Sequence, residues 1–487
     1  MCLEREDTLT FAVPHPKPEV NMPSNPAPGP KGVPFLGSLP DAWQDVLGTL
    51  TAAFRDHGEV ARLRFGPYDY YLVNDPEIVK HVLVDNAKNY QKSKSYEGLR
   101  LVLGNGLVTS EGDFWRRQRK LAQPAFHKEK LQAFATTMVD STAAMLDRWE
   151  GDAALTVDVH AEMMRLTLSI VGRTLFGKDL GADSGDAAEI GDAIRVALRH
   201  ANDYAEALIK VPPWLPTPGN LRFSRAIKRL DAMVFALIEA RRASGRDEQD
   251  LLSMLMSARD DADRGMTDRQ LRDEVMTLVL AGHETTAVAL GWTFYLLSRH
   301  PDVERRMLAE ITEVLGDRLP TFDDLPRLTY TAQVLSESMR LYPPVWIFER
   351  RALAADRLGD YPIEAGATVA ISPYTLHRNA RFFPNPEGFD PERFGKEASA
   401  ARPRTAYMPF AMGPRQCIGD AFAKMEAVLI VAAVLPKYRL SLLPGFRAEA
   451  EAKVTLRPRA GLPMRRERRA IATRPVDQHP MSAPWTA

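Results

Sequence analysis

Apolar residues recur at helical spacing over most of the chain, and the exceptions are short. Between residues 130 and 259 the helical period breaks at Pro212-Pro213 and at Pro216-Thr217-Pro218-Gly219, where a helix cannot continue. Thr267-Asp268-Arg269-Gln270 has the form of a capping box, with threonine as N-cap and glutamine three residues on. Helical spacing then runs to about Arg299, and roughly 32 residues at about 1.5 Å each predict a rod of about 48 Å. Residues 43–57 and 76–85 also read as helices, whereas residues 96–108 read as a glycine-punctuated loop. Alternation appears at residues 60–65 and 68–73, which predict a hairpin through Gly66-Pro67. Residues 341–351 break a helix at Pro343-Pro344 and run extended, and short strand signals return at 440–464. The pattern predicts a mainly α fold with a small β part.

Composition narrows the class. The 487 residues carry 45% hydrophobic and 26% charged side chains, ordinary values for a globular enzyme. Lys plus Arg and Asp plus Glu both number 63, so net charge points to neither nucleic acid nor an anionic membrane. No repeat or composition change marks a second domain. One domain is expected over residues 28–464, with a flexible tail at 1–27 and a solvated tail at 465–487 that includes Arg465-Arg466-Glu467-Arg468-Arg469. The two cysteines, Cys2 and Cys417, make no disulfide framework and suit a reducing compartment. Residues 1–25 hold no apolar run near the roughly 20 residues of a membrane helix. A cytoplasmic protein without a membrane span is expected.

The chemistry concentrates in Phe410-Ala411-Met412-Gly413-Pro414-Arg415-Gln416-Cys417-Ile418-Gly419, just before the apolar run 421–435. A cysteine behind a Gly/Pro-punctuated loop and at a helix mouth can be stabilised as a thiolate by backbone N–H groups. One cysteine cannot build a zinc or iron–sulfur site, but it can supply the single axial ligand of a haem. The same residues also suit a buried cysteine that opens a core helix. Two glycines would let the backbone approach a flat macrocycle, and Arg415 would offer a cation to a carboxylate.

The pattern Phe-x-x-Gly-x-Arg-x-Cys-x-Gly resembles the haem-binding loop of the cytochrome P450 monooxygenases, soluble bacterial type, and is matched by Phe410, Gly413, Arg415, Cys417 and Gly419. Four further stretches resemble that family in its own order. Trp115 and Arg119, at i and i+4, resemble its pair of haem-propionate donors. Ala281-Gly282-His283-Glu284-Thr285 resembles its oxygen-binding groove, where Glu284 and Thr285 would be the acid and alcohol that deliver protons. Glu337-x-x-Arg340 and the Arg393 of Phe389-Asp390-Pro391-Glu392-Arg393-Phe394 resemble its structural charge cluster. Arg350, with Arg351 as the alternative, would meet the second propionate, and Val345, Ile347 and Phe348 would border the substrate.

The resemblance implies one large fold with the long helix over a haem b whose iron is ligated by Cys417. It implies insertion of one oxygen atom of dioxygen into an apolar small molecule, terpenoid, steroid, fatty-acid or polyketide-like, by hydroxylation or epoxidation. Electrons would come from NAD(P)H through a ferredoxin or flavodoxin with its reductase, and the enzyme would act as a monomer. Arg116, Arg117, Lys120 and Lys424 would dock the acidic electron donor, ordinary exposed helix charge being the other reading. A rearranging or peroxide-using relative would typically have an altered acid and alcohol pair, and a non-enzymatic haem sensor or carrier would need no oxygen groove.

Overall fold

The computed structural model describes residues 26–181, 185–207, 210–245 and 250–469, so the readings for residues 1–25 and 470–487 lie outside the described residues. The capping box forms: the Thr267 hydroxyl accepts the Gln270 N–H and the Gln270 amide oxygen accepts the Thr267 N–H at 2.9 Å. From there one helix, Asp268–Arg299, runs unbroken for 32 residues and is buried along most of its length. It packs against helices Val159–Phe176, Thr329–Leu341 and Asp420–Val434. The last of these is buried throughout residues 425–434 and apolar there except at Glu426, which is how a helix reads when protein surrounds it.

Alternation at the N-terminal side resolves into strands Val60–Phe65 and Tyr68–Val73, paired antiparallel with Leu63 opposite Tyr70. Three more strands extend that hairpin into a five-stranded sheet, in the order Val60–Phe65, Tyr68–Val73, Thr368–Ile371, Phe348–Ala352, Tyr90–Lys92. Among the described residues no helix is long and apolar enough to cross a membrane.

Two expectations are corrected. Residues expected as a glycine-punctuated loop begin with a helix, Tyr96–Leu103, in which Gly98 permits contact with a neighbouring helix. A Cβ there would sit 2.3 Å from the Ala201 carbonyl oxygen, so the glycine marks a close approach between helices. The basic run after Met464 is no tail: strand Pro463–Arg468 pairs with Tyr438–Leu442 and with Thr156–Asp158. Arg466 is buried and donates to the carbonyls of Asp152 and Ala154, each at 2.8 Å.

Glu337 and Arg340 form a bidentate pair with no solvent exposure, at 2.7 and 2.9 Å. Arg393 stands 3.3 Å from the same carboxylate, which also accepts the Asp390 N–H. The guanidinium of Arg340 further donates to the carbonyls of His377, Pro386 and Gly388 at 2.6–3.0 Å. The irregular segment leading to the cysteine loop is thus held from inside the protein. Arg340→Ala strands a buried carboxylate and is expected to lower unfolding free energy by about 3–5 kcal/mol, whereas the double change Glu337→Met, Arg340→Met should recover part of the loss. Urea unfolding of the three proteins checks this, and equal losses in single and double variants would refute it.

Candidate functional site

Gly413 sits at φ +69° beside the wide turn His81–Asp85, where a Cβ would lie 2.2 Å from the Leu83 carbonyl oxygen. Only glycine fits there. The Cys417 N–H donates to the Phe410 carbonyl at 2.9 Å, which closes the loop three residues before helix Asp420–Val434 begins. Burial pushes the Cys417 thiol up, while the Gly419 N–H pulls it down. Protein encloses the cysteine, yet it keeps accessible surface because it opens onto a cavity.

That cavity measures about 380 Å³ and is lined almost wholly by apolar side chains. Phe410, Arg415, Cys417 and Gly419 line it from the cysteine loop, and Ala281, Gly282 and Thr285 line it from the long helix. The Thr285 hydroxyl donates to the Ala281 carbonyl one turn back at 2.6 Å, leaving its oxygen as an acceptor. A Cβ on Gly282 would stand 3.1 Å from Val171, so this glycine also sets how closely helix Val159–Phe176 packs.

Glu284 does not line the cavity. Its Oε1 accepts the Thr455 hydroxyl at 2.7 Å, on the side where the C-terminal strands meet the helix. One residue advances a helix by about 100°, so a threonine facing the cavity turns its predecessor aside. His283 is likewise buried, its Nδ1 2.9 Å from the Val279 carbonyl.

At one end of the cavity the charge changes. Arg415 lies 3.8 Å over the Trp115 ring, donates to the Ser110 carbonyl at 2.9 Å and pairs with Glu111. Burial lowers it to about 10. Lys92 is depressed to about 6, first by burial and then by Arg415, with Arg350 and Arg100 adding to the effect and Glu111 opposing it. Arg350 is buried and shares a strand face with Phe348, a cavity-lining residue. Arg351 points to the other face, into a small polar pocket with Lys92, Lys94 and Arg100. Crowded cations with few carboxylates beside an apolar slot that ends in a cysteine fit a planar macrocycle bearing carboxylates, as a haem does.

Val345 and Phe348 line the cavity, but Ile347 does not. It packs with Trp346, Leu50 and Ala53 in a separate core, on the irregular segment just before strand Phe348–Ala352. Arg119 is half-buried and donates to the Gln416 carbonyl at 2.9 Å, bracing the cysteine loop. The expected docking cations divide. Arg117 is committed internally, to Asp260 at 2.7 Å and to the carbonyls of Arg264 and Gly265. Arg116, Lys120 and Lys424 are exposed and pair with Asp113, Asp261 and Asp420.

Sequence reasoning missed Lys92 and Glu426. Lys92 carried no motif. Glu426 is fully buried in the helix after the cysteine, its carboxyl directed at Thr286, whose hydroxyl in turn donates to the Gly282 carbonyl at 3.2 Å. A charged residue inside the otherwise apolar run 425–434 was the signal available for Glu426.

The chain matches the family model described as Cytochrome P450 over residues 27–460. It is 39% identical to a cyclooctat-9-en-7-ol 5-monooxygenase and to a cyclooctatin synthase, both of Streptomyces melanosporofaciens, with 88% of this chain and 92% of each relative covered. It is 34% identical to a pentalenene oxygenase of Streptomyces avermitilis, over 85% of this chain and 91% of that one.

Burial raises the Glu426 carboxyl to about 8 from an ordinary 4.5. The folded protein therefore holds a proton that the unfolded chain releases, and stability falls as pH rises between those two values. The loss should be on the order of a few kcal/mol across that window, and Glu426→Gln should flatten it. Unfolding free energies measured through the window decide the matter; the same slope in both proteins would contradict the assignment.

Proposed function

Because the chain belongs to the cytochrome P450 family, a haem monooxygenase of apolar small molecules, we propose that it oxygenates a polycyclic terpenoid and that Cys417 ligates the iron of a haem b. The observation that carries this reading is the apolar cavity bounded by Cys417 on one side and by Ala281, Gly282 and Thr285 on the other. The names of its relatives, a cyclooctat-9-en-7-ol 5-monooxygenase and a pentalenene oxygenase, support the substrate class. With no charged anchor on the long-helix side of the cavity, shape must orient such a substrate.

When bound, the haem supplies an iron at which dioxygen is reduced and one oxygen atom passes to substrate. Around it the chain's residues have separable tasks. Arg415, Arg350 and Lys92 would neutralise the propionates, and Trp115 would add its indole N–H. A propionate beside Lys92 would restore its proton, since an anion favours the charged form. Arg119 holds the cysteine loop through the Gln416 carbonyl. Thr285 presents an acceptor oxygen to the cavity, and Glu284 reaches it only by leaving Thr455. In this reading Glu284 exchanges protons with the far side of the helix and Thr285 holds them at the cavity.

The family requires a separate electron donor, and we assign that role to a ferredoxin or flavodoxin whose reductase draws on NAD(P)H. Lys424 is the foremost docking cation, being exposed, 4.9 Å over the Phe410 ring and on the helix behind Cys417. Arg117 is left out because its charge is spent internally. A cytoplasmic monomer completes the reading, to be checked by sizing and cell fractionation.

Visible titration of the purified ferric enzyme with cyclic terpene hydrocarbons and alcohols should convert low-spin to high-spin haem, with steroids and fatty acids weaker. Cys417→Ser should remove the thiolate signature of the ferrous carbon monoxide complex. A response to fatty acids alone would overturn the substrate class, and an intact thiolate signature in the serine variant would overturn the ligand.

A further inference from the structure

The connection between helices Tyr96–Leu103 and Gly112–Ala122 is fitted onto one turn of the long helix. Arg272 Nη1 donates to the Val102 carbonyl at 2.9 Å, Asp273 accepts the Asn105 N–H at 2.8 Å, and Glu274 Oε2 accepts the Leu107 N–H at 3.0 Å. No side chain could be interposed. A Cβ on Gly104 would lie 2.2 Å from the Asp273 carboxylate, and one on Gly106 would lie 2.1 Å from the Thr277 hydroxyl. The same loop supplies Val108 to the cavity wall and the Ser110 carbonyl to Arg415, two residues before Cys417. Wherever this loop goes, the cavity wall follows.

Glu274 is the junction. Its Oε1 accepts from Gln118 Nε2 at 3.2 Å, on the helix that carries Trp115 and Arg119. Gln118 is oriented for that contact because its own oxygen accepts from Arg117 at 3.2 Å, and Arg117 is held by Asp260. Lys92 faces the acid from the sheet side, its Nζ donating to the carbonyls of Leu107 and Ser110 at 3.4 and 3.3 Å. Asp273 faces it from its own helix. Both direct partners of the Glu274 carboxyl are N–H donors, so a proton on the carboxyl would meet a donor and forfeit one bond.

We propose that Glu274 is a positioning residue whose ionised carboxylate latches the Gly104–Ser110 loop to the long helix, and that its protonation frees the loop and loosens the cavity wall at Val108. The acid is 1% exposed, and burial raises it to about 7 against the opposing pull of Leu107, Gln118 and Lys92. The latch therefore changes state near neutrality. Its consequence for substrate rests on the cavity being the substrate site.

Hydrogen exchange on the haem-loaded, ligand-free enzyme reads the latch without using activity. After correction for intrinsic rates, protection of the peptide spanning Asn105 to Val108 should rise about tenfold from about pH 6 to about pH 8, and Glu274→Gln should remove that rise. A flat profile in the wild type, or an unchanged rise in the variant, would overturn the latch. If Glu274→Gln does not retain haem, Gln118→Met removes one stabilising donor and should move the transition to higher pH; no movement overturns the proposal. In parallel, cyclic terpenes should dissociate faster at the lower pH in the wild type. Protection that follows pH alongside dissociation that does not would overturn the cavity as substrate site and leave the latch standing.

Discussion

A loop that must hold a cysteine still cannot rely on secondary structure, and here its rigidity depends on one buried ion pair. Glu337 and Arg340 are fully enclosed, and either one alone would be a buried charge without its partner. Together they organise what surrounds them, because the guanidinium satisfies carbonyls at residues 377, 386 and 388 and the carboxylate accepts the Asp390 N–H. Those groups lie on the irregular segment that leads to Phe410. The pair's value lies in fixing that path more than in net stability, which an apolar substitute should recover in part.

From there order passes to the cavity by contacts that each satisfy a buried polar group. Gly413 rests on the Leu83 carbonyl, Arg119 reaches Gln416, and Arg415 reaches Ser110. Arg415 and Lys92, with Arg350 beside them, gather at the end of an apolar slot, where burial disfavours the charge of the first two. Cations crowded in this way would lower the cost of bringing in a dianion.

What could be read from the sequence was local. The capping box at Thr267, the hairpin through Gly66-Pro67 and the cysteine loop all carry their signals within a few residues. Glu337 and Arg340 were visible together because i and i+3 share a helix face. Ile347 was misassigned because the segment between the two prolines and Phe348 is irregular, so strand alternation does not decide which of its side chains face the cavity. Arg117 looked like a free docking charge because its partner, Asp260, lies 143 residues away. Lys92 and Glu274 were invisible for the same reason: a lone charged residue shows its role only when the fold supplies its neighbours.

The acids explain why the long helix tolerates its costs. Asp273, Glu274 and Glu284 are all buried on it, although a helix made only to fill a core would be apolar at those positions. Each faces a segment that arrives from elsewhere: Asp273 and Glu274 the wall loop before helix Gly112–Ala122, and Glu284 the C-terminal turn at Thr455. Around Glu284, on the face turned to the cavity, Ala281, Gly282 and Thr285 leave the helix low in bulk. Two functions are therefore arranged along one rod, attachment of the cavity wall near its N-terminal end and a hydroxyl at the cavity in its middle. Because the rod is continuous, a change at Glu274 need not distort the helix to alter the site; it need only release the loop that carries Val108 and Ser110, and with it the support of Arg415.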